Sequence, residues 1–135
     1  MLRIEGAEHE ETAPRAQTLL ISKLPSSLVG KTQTIKILPG SLLHSAYGRD
    51  EATEQFACNY GFNPKFRDKI GGGQLKVTAV GPDGEVRAVE ISAHPFYVGT
   101  LFLPQTSSTP ANPHPLIVAY LRAALAFQAS REKKL

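Results

Sequence analysis

The sequence predicts an α/β domain in which a mixed sheet of about six strands is flanked by helices. An apolar run of strand length, rich in aromatic and β-branched residues, lies within residues 94–103 and ends before Pro104. Such a run is typical of a strand that is buried on both faces. Residues 75–80 and 85–91 alternate polar and apolar side chains around Pro-Asp-Gly, which favours a tight hairpin turn. Apolar residues then recur at helical spacing from Leu116 to Phe127, as in a helix that packs on a sheet.

The strands are predicted from short apolar or alternating segments that end at turn-forming residues. Residues 32–38 alternate between polar and apolar side chains after Gly30, which indicates a strand with one buried face. Residues 54–62 are rich in aromatic side chains and also read as a strand. The predicted strands are residues 17–24, 32–38, 54–62, 75–80, 85–91 and 93–103.

The helices are predicted from capping residues. Ser41 can cap a short helix through Tyr47 that stops at Gly48. Asn63-Pro64 has the form of an N-cap followed by proline at the first helical position, so residues 65–70 are a second short helix. Residues 104–113 are dense in Pro, Ser, Thr and Asn and are predicted to form a loop. Asn112 is the predicted N-cap of the last helix, which runs to about residue 128.

The composition is that of one globular domain. The chain has 135 residues, of which 41% are hydrophobic and 20% charged, and no run of 18 apolar residues that would span a membrane. Residues 1–14 are polar and lack the apolar core of a signal peptide, so we expect a cytoplasmic protein. The net charge of +3 comes largely from the last residues, with no basic stripe that would bind nucleic acid. The single cysteine, Cys58, excludes an internal disulfide and a multi-cysteine metal site.

The order of short motifs resembles the closing part of the glutamine amidotransferase domain of CTP synthase. The similar motifs are His94-Pro95-Phe96, then Phe102 with Pro104, then Ser108-Thr109-Pro110, then His114-Pro115-Leu116 with an Ala-rich helix, and Glu54 with Tyr60 and Asn63 upstream. The resemblance implies a three-layer class I glutamine amidotransferase-like (flavodoxin-like) fold, of which residues 1–135 form the C-terminal portion as one partial domain. It also implies that the half bearing the oxyanion loop and the cysteine nucleophile is not part of this sequence.

The same resemblance implies a degenerate active site. In the family, a buried strand runs into Phe-His-Pro-Glu, whose His and Glu complete a Cys-His-Glu triad; here Leu103 and Gln105 hold those places. Leucine cannot transfer a proton, and glutamine has no charge to stabilise an imidazolium. The upstream block implies that Glu54, Asn59 and Tyr60 lie at the substrate position, although the family's basic residues are replaced there, as by Asn59.

Cys58 is the other candidate nucleophile, with His9, His44, His94 or His114 as its base. A lone cysteine among aromatic residues in a strand is more often a buried, unreactive thiol. His114 begins a helix, where a neutral capping or exposed role is favoured over a charged one. Gly71-Gly72-Gly73 lacks the Lys and Ser or Thr of a phosphate-binding loop. No metal site and no cofactor are expected.

Three functions remain open. The favoured one is a catalytically silent amidotransferase-like domain that binds a ligand, such as glutamine, or a partner. The alternative is the C-terminal half of a glutamine-hydrolysing enzyme whose cysteine-bearing half lies elsewhere, and the third is an enzyme built on Cys58. A half-domain exposes a sheet edge or an apolar face, so we expect a homodimer or a partner chain that covers it, with no nucleic acid and no membrane involved.

Overall fold

The structure, a computed structural model, describes residues 4–133. Its strands form two sheets, and its helices are short except for the last. The strands are β1 (Glu8–His9), β2 (Leu19–Lys23), β3 (Lys31–Ile37), β4 (Glu51–Phe56), β5 (Tyr60–Phe62), β6 (Leu75–Val80), β7 (Val86–Ile91) and β8 (Val98–Thr100). The helices are α1 (Leu42–Tyr47), α2 (Pro104–Ser107), α3 (Pro115–Glu132) and a 3₁₀ helix over Pro64–Lys69. None of the helices in this range is long and apolar enough to cross a membrane.

The larger sheet has five antiparallel strands in the order β4-β3-β6-β7-β8. Alternation fixes which face of it is buried: Ile35 and Ile37 of β3 point to the core, as do Ala52 and Phe56 of β4. The β6–β7 hairpin closes as predicted, with the Gly84 amide donating to the Gly81 carbonyl at 3.0 Å.

The smaller sheet has the order β1-β2-β5, with β1 parallel and β5 antiparallel to β2. The sheet that the sequence predicts as one unit of about six strands is therefore divided in two. The reason is that β2 pairs with β5, where Ile21 lies opposite Phe62, and not with the neighbouring β3.

The hydrophobic core forms where the larger sheet meets the helices. It contains Ile35, Ile37, Leu43, Phe56, Phe102 and Leu116, all fully or almost fully buried. Helix α1 begins and ends as predicted: the Ser41 hydroxyl accepts from the His44 amide, and Gly48 adopts the left-handed conformation, with φ of 65°. Asn63 caps the 3₁₀ helix in the same way by accepting from the Lys65 amide.

The strand predicted over residues 54–62 is two strands in different sheets. Phe56 lies opposite Lys31, the first residue of β3, so the residues that follow Phe56 have no β3 residue left to pair with. The carbonyls of Cys58 and Asn59 instead accept from the amides of Leu28 and Leu24. The chain thus changes sheets at residues 57–59.

Two further predictions around β8 are wrong in detail. The strand predicted over residues 93–103 is limited to Val98–Thr100, because Pro95 has no amide hydrogen and the His94 imidazole accepts from the Phe96 amide in a turn. The loop predicted over residues 104–113 begins with the four-residue helix α2, which starts at Pro104.

Helix α3 differs most from its prediction. Its N-cap is His114 rather than Asn112, and the His114 Nδ1 accepts from the Leu116 amide at 3.2 Å. Leu116 is buried, but Tyr120 and Phe127, predicted to pack on the sheet, are exposed. The helix is buried at Leu116, half-buried through Ala119, and largely exposed beyond that point, where the Tyr120 ring lies against Phe96 with 5.6 Å between the centroids.

Candidate functional site

An open cavity of about 560 Å³ lies between the two sheets. Its walls come from the segment where the chain changes sheets, from β5, and from β7 and β8 at the edge of the larger sheet. Three predicted site residues meet here, namely Cys58, Asn59 and Tyr60. Ligand sites in proteins are usually concave and partly apolar, as this cavity is.

Cys58 is partly buried at this wall and is not paired with an imidazole. Its Sγ donates to the Leu101 carbonyl at 3.2 Å. Burial raises the pKa of the Cys58 thiol, and the charge of Arg87 offsets this only in part. The neutral thiol is a weak nucleophile. The raised pKa favours the protonated form of Cys58 at neutral pH. This argues against the hypothesis that Cys58 is a catalytic nucleophile.

Asn59 and Tyr60 are held by neighbouring loops. The Asn59 Oδ1 accepts from the Ser27 hydroxyl at 2.6 Å. The Tyr60 ring lies against the imidazole of His9, with 5.1 Å between their centroids, and His9 is also on the cavity wall. Of the four histidines considered as a base, His9 is the one that lines this cavity, and its Nδ1 already accepts from the Glu11 amide.

Arg87 is a buried cation on the cavity wall that the sequence reasoning missed. It is only 3% exposed, and its Nε donates to the Gln33 Oε1 at 3.0 Å. Its guanidinium lies over the Phe56 ring at 5.8 Å and 3.5 Å from the Glu85 carboxylate. The available signal was a charged residue among the apolar residues that begin strand Val86–Ile91, which also contains Glu90.

Glu54, the third residue predicted to bind substrate, does not line the cavity. It sits with Tyr47 and His114 in a buried polar cluster, called here the Glu54 cluster, between α1, β4 and the start of α3. Tyr47 donates its hydroxyl to Glu54, and the His114 Nε2 lies 3.0 Å from the Glu54 Oε1. Because the His114 Nδ1 accepts from the backbone, the ring proton is assigned to Nε2, which donates to Glu54.

The Glu54 cluster is largely closed to solvent. Glu54 is 3% and His114 5% exposed, and Tyr47 is half-buried. Burial, and after it the hydrogen bond and charge of Glu54, raise the pKa of the Tyr47 phenol far above its ordinary range. Each polar atom has a partner within the cluster, so it joins a helix to a strand rather than presenting a reactive group. The predicted capping role of His114 is confirmed, but His114 is not exposed.

Leu103 and Gln105 lie at the start of α2. The Leu103 amide donates to the Gln55 carbonyl at 2.9 Å, and Leu103 is the N-cap residue of that helix. Gln105 is exposed in the first turn. Neither residue lines the cavity that holds Cys58. Among residues 4–133, no three His, Cys, Asp or Glu side chains are close enough to hold a metal ion.

Comparisons with known proteins find CTP synthases. A CTP synthase of Thermus thermophilus is 33% identical over 140 residues, which cover 93% of this chain and 26% of that protein. The CTP synthase of Saccharopolyspora erythraea is 39% identical over 98 residues, which cover 70% of this chain and 17% of that protein. The chain is CTP synthase-like. It spans about a quarter or less of these curated relatives, and no family model matches it.

The fold agrees with this relationship. The glutaminase domain of Trypanosoma brucei CTP synthase, solved with bound acivicin, superposes with a TM-score of 0.85 at 20% identity. The match covers 93% of this CTP synthase-like chain and 53% of that domain structure. The predicted fold, the C-terminal portion of a class I glutamine amidotransferase-like domain, is thereby confirmed.

Proposed function

We propose that this CTP synthase-like chain is a glutamine amidotransferase-like domain that does not hydrolyse glutamine and acts as a scaffold for a ligand or partner. The observation that carries the proposal is the pair Leu103 and Gln105 at the places where the family resemblance implies histidine and glutamate. Glutamine hydrolysis needs a thiolate, an imidazole to activate it and a carboxylate to orient that imidazole. The protonated thiol of Cys58 gives no substitute.

A small zwitterion such as glutamine is the ligand that the cavity supports best. Arg87 and Glu11 place opposite charges on its wall, and Tyr60 adds an aromatic surface. A guanidinium suits an α-carboxylate, and a carboxylate suits an α-ammonium group.

We place the protein in the cytoplasm, where a single unpaired cysteine is the ordinary state.

The alternative function is the C-terminal half of a glutamine-hydrolysing amidotransferase. The observation that favours it is coverage, because the chain matches 53% of the related glutaminase domain structure. A second polypeptide bearing the nucleophile would then complete the domain. Such a partner supplies the cysteine but no histidine to act as the base in place of Leu103. The catalytically silent scaffold therefore remains our first choice.

Ammonia release from glutamine tests the absence of activity. We expect none from the purified chain, from Cys58→Ala, or from the Leu103→His, Gln105→Glu double variant, since none of these assembles a complete triad. Release that disappears in Cys58→Ala would overturn the proposal in favour of an enzyme built on Cys58.

Calorimetric titration with L-glutamine tests the ligand. We expect binding to the unaltered chain and a loss of about tenfold or more in affinity for Tyr60→Ala, which removes the aromatic wall of the cavity. Tyr97→Ala is the matched control, since Tyr97 is an exposed tyrosine outside the cavity. Equal affinities of the two variants, or no heat with the unaltered chain, would exclude glutamine as the ligand of this cavity.

A further inference from the structure

Helix α3 carries the largest run of exposed apolar side chains in the described part of the chain. Tyr120, Leu121, Leu125 and Phe127 are between 54% and 66% exposed. From residue 116 to residue 130, Arg122 is the only charged residue. A surface helix normally keeps one polar face. This helix is therefore built for contact with another surface along most of its length.

The apolar residues of α3 form two rows, with Ala124 and Gln128 between them. One row, Tyr120 and Phe127, borders a groove of about 240 Å³ whose other wall includes Phe96. The second row, Leu121 and Leu125, is one helical turn long. At 3.6 residues per turn, Ala124 lies between the two rows and Arg122 lies nearly opposite Ala124. An alanine at the centre allows a second helix to approach closely.

The area of this surface approaches what a small dimer needs. Tyr120, Leu121, Leu125 and Phe127 leave roughly 450 Å² exposed per copy, within the ~300–600 Å² of the largest apolar patch on a typical monomer, and such patches are often functional. If all four side chains were covered in both copies, they would bury about 900 Å², and neighbouring contacts would supply the rest of the ~1,000 Å² of a specific interface. A two-fold interface uses the same patch on both subunits, so an uncharged helix face can serve both sides.

We propose that two copies of this chain associate through α3, with Ala124 at the centre of the contact. Sheet edges are the other surfaces that a partner could cover. In the larger sheet they are β8, with three residues, and β4, whose end is already joined to Phe102 and Leu103. Pairing at such an edge uses backbone hydrogen bonds and buries less apolar area than contact through α3. The contact is uncharged, so its strength does not depend on salt in the way that an ion-paired interface would.

Sedimentation equilibrium of the unaltered chain and two single variants tests this interface. Leu125→Lys places a charge in the exposed apolar row, and Ala126→Lys places the same charge on the same helix but away from Ala124. We expect a dimer whose dissociation constant rises about tenfold or more in Leu125→Lys and less than about threefold in Ala126→Lys. Both positions are exposed and lysine is a good helix former, so both variants fold.

Two results would overturn the inference. One is an unaltered chain that stays monomeric up to about 100 μM, which is what a surface reserved for the other half of an amidotransferase domain would give. The other is a dimer that Leu125→Lys and Ala126→Lys weaken equally, which would place the contact elsewhere. These outcomes do not depend on glutamine binding or ammonia release.

Directed cross-linking locates the contact independently of affinity. In a Cys58→Ser background, Ala124→Cys places a thiol at the proposed centre of the contact, where a two-fold axis brings the two copies of one residue together. We expect this variant to form a disulfide-linked dimer on mild oxidation, and the control Ala126→Cys to remain largely unlinked. Equal linking of both variants would contradict the proposed centre.

Discussion

Glu54 and Cys58 are four residues apart, but they stand in regions of opposite character. The Glu54 cluster lies largely buried between two helices and a strand, and its three polar side chains use one another as partners. The Cys58 cavity is open, and its polar groups are held by backbone and loop contacts at its rim. Residues that the resemblance groups at one position are therefore divided between two regions. Glu54 contributes to stability, whereas the space beside Cys58 is open to solvent.

Substitution within the Glu54 cluster should have the largest effect, and the quantity that it changes is the free energy of unfolding. Glu54→Ala leaves the Tyr47 hydroxyl and the His114 Nε2 buried without their acceptor, so we expect a loss of about 3 kcal/mol in the free energy of unfolding. Urea denaturation measures it. Glu51→Ala, an exposed position on the same strand, is the control and should cost less than about 0.5 kcal/mol. Similar losses in both variants would show that the cluster contributes little.

The next effect depends on pH and concerns Tyr47. Its pKa in the folded state lies above the ordinary value of 10.0, because burial and Glu54 oppose the phenolate. The contribution of the Tyr47 hydroxyl to stability is fully present below pH 10. It is lost as the pH rises further, because the phenol then loses its proton in the unfolded chain but not in the folded one. The advantage of the unaltered chain over Tyr47→Phe, about 1 kcal/mol at pH 8, should therefore shrink between pH 10 and 11. An advantage that stays constant over this range would contradict the cause given for the raised pKa.

A more modest effect is a change in reactivity at the cavity. Because the pKa of Cys58 is raised by burial, its reaction with iodoacetamide should increase with pH only above the range of a free thiol. Mass spectrometry of the folded chain, with the urea-unfolded chain as control, measures the two pH profiles. We expect several-fold slower labelling of the folded chain at pH 8. A folded chain that reacts faster at neutral pH than the unfolded one would indicate an activated thiol.

The fold was largely predictable because local patterns and tertiary contacts agree over most of the chain. Alternation located β3, β6 and β7, and capping residues located α1 and the 3₁₀ helix. The division of residues 54–62 into two strands was not predictable from residue types. It depends on the register with β3, because the first residue of β3 lies opposite Phe56. The apolar face of α3 was visible, but the sequence does not say whether such a face meets its own sheet or another surface.

The site was predictable only in part. Cys58, Asn59 and Tyr60 lie on one cavity wall because they are consecutive, and their role in binding stays a prediction. Glu54 does not lie there, because successive strand residues point to opposite faces and the chain changes sheets after Phe56. Arg87 reaches the cavity from a distant strand, and its pairing with Gln33 spans 54 positions. Such contacts arise from strand order, which local pattern does not encode.

The pairing of β2 with β5 also bears on the order in which the chain folds. Ile21 and Phe62 meet across about forty residues of intervening chain, as do Ile37 and Ala79 where β3 pairs with β6, whereas the β3–β4 and β6–β7 pairs lie within single compact stretches. Pairs that are distant in sequence are expected to form late, because the entropy of closing the loop is spent before any contact is gained. The smaller sheet has the shorter strands and one buried residue, Gly61, so this sheet, which walls the cavity, is expected to open first. Its amide hydrogens should exchange with solvent sooner than those of the five-stranded sheet. A ligand bound in the cavity would therefore stabilise the smaller sheet most.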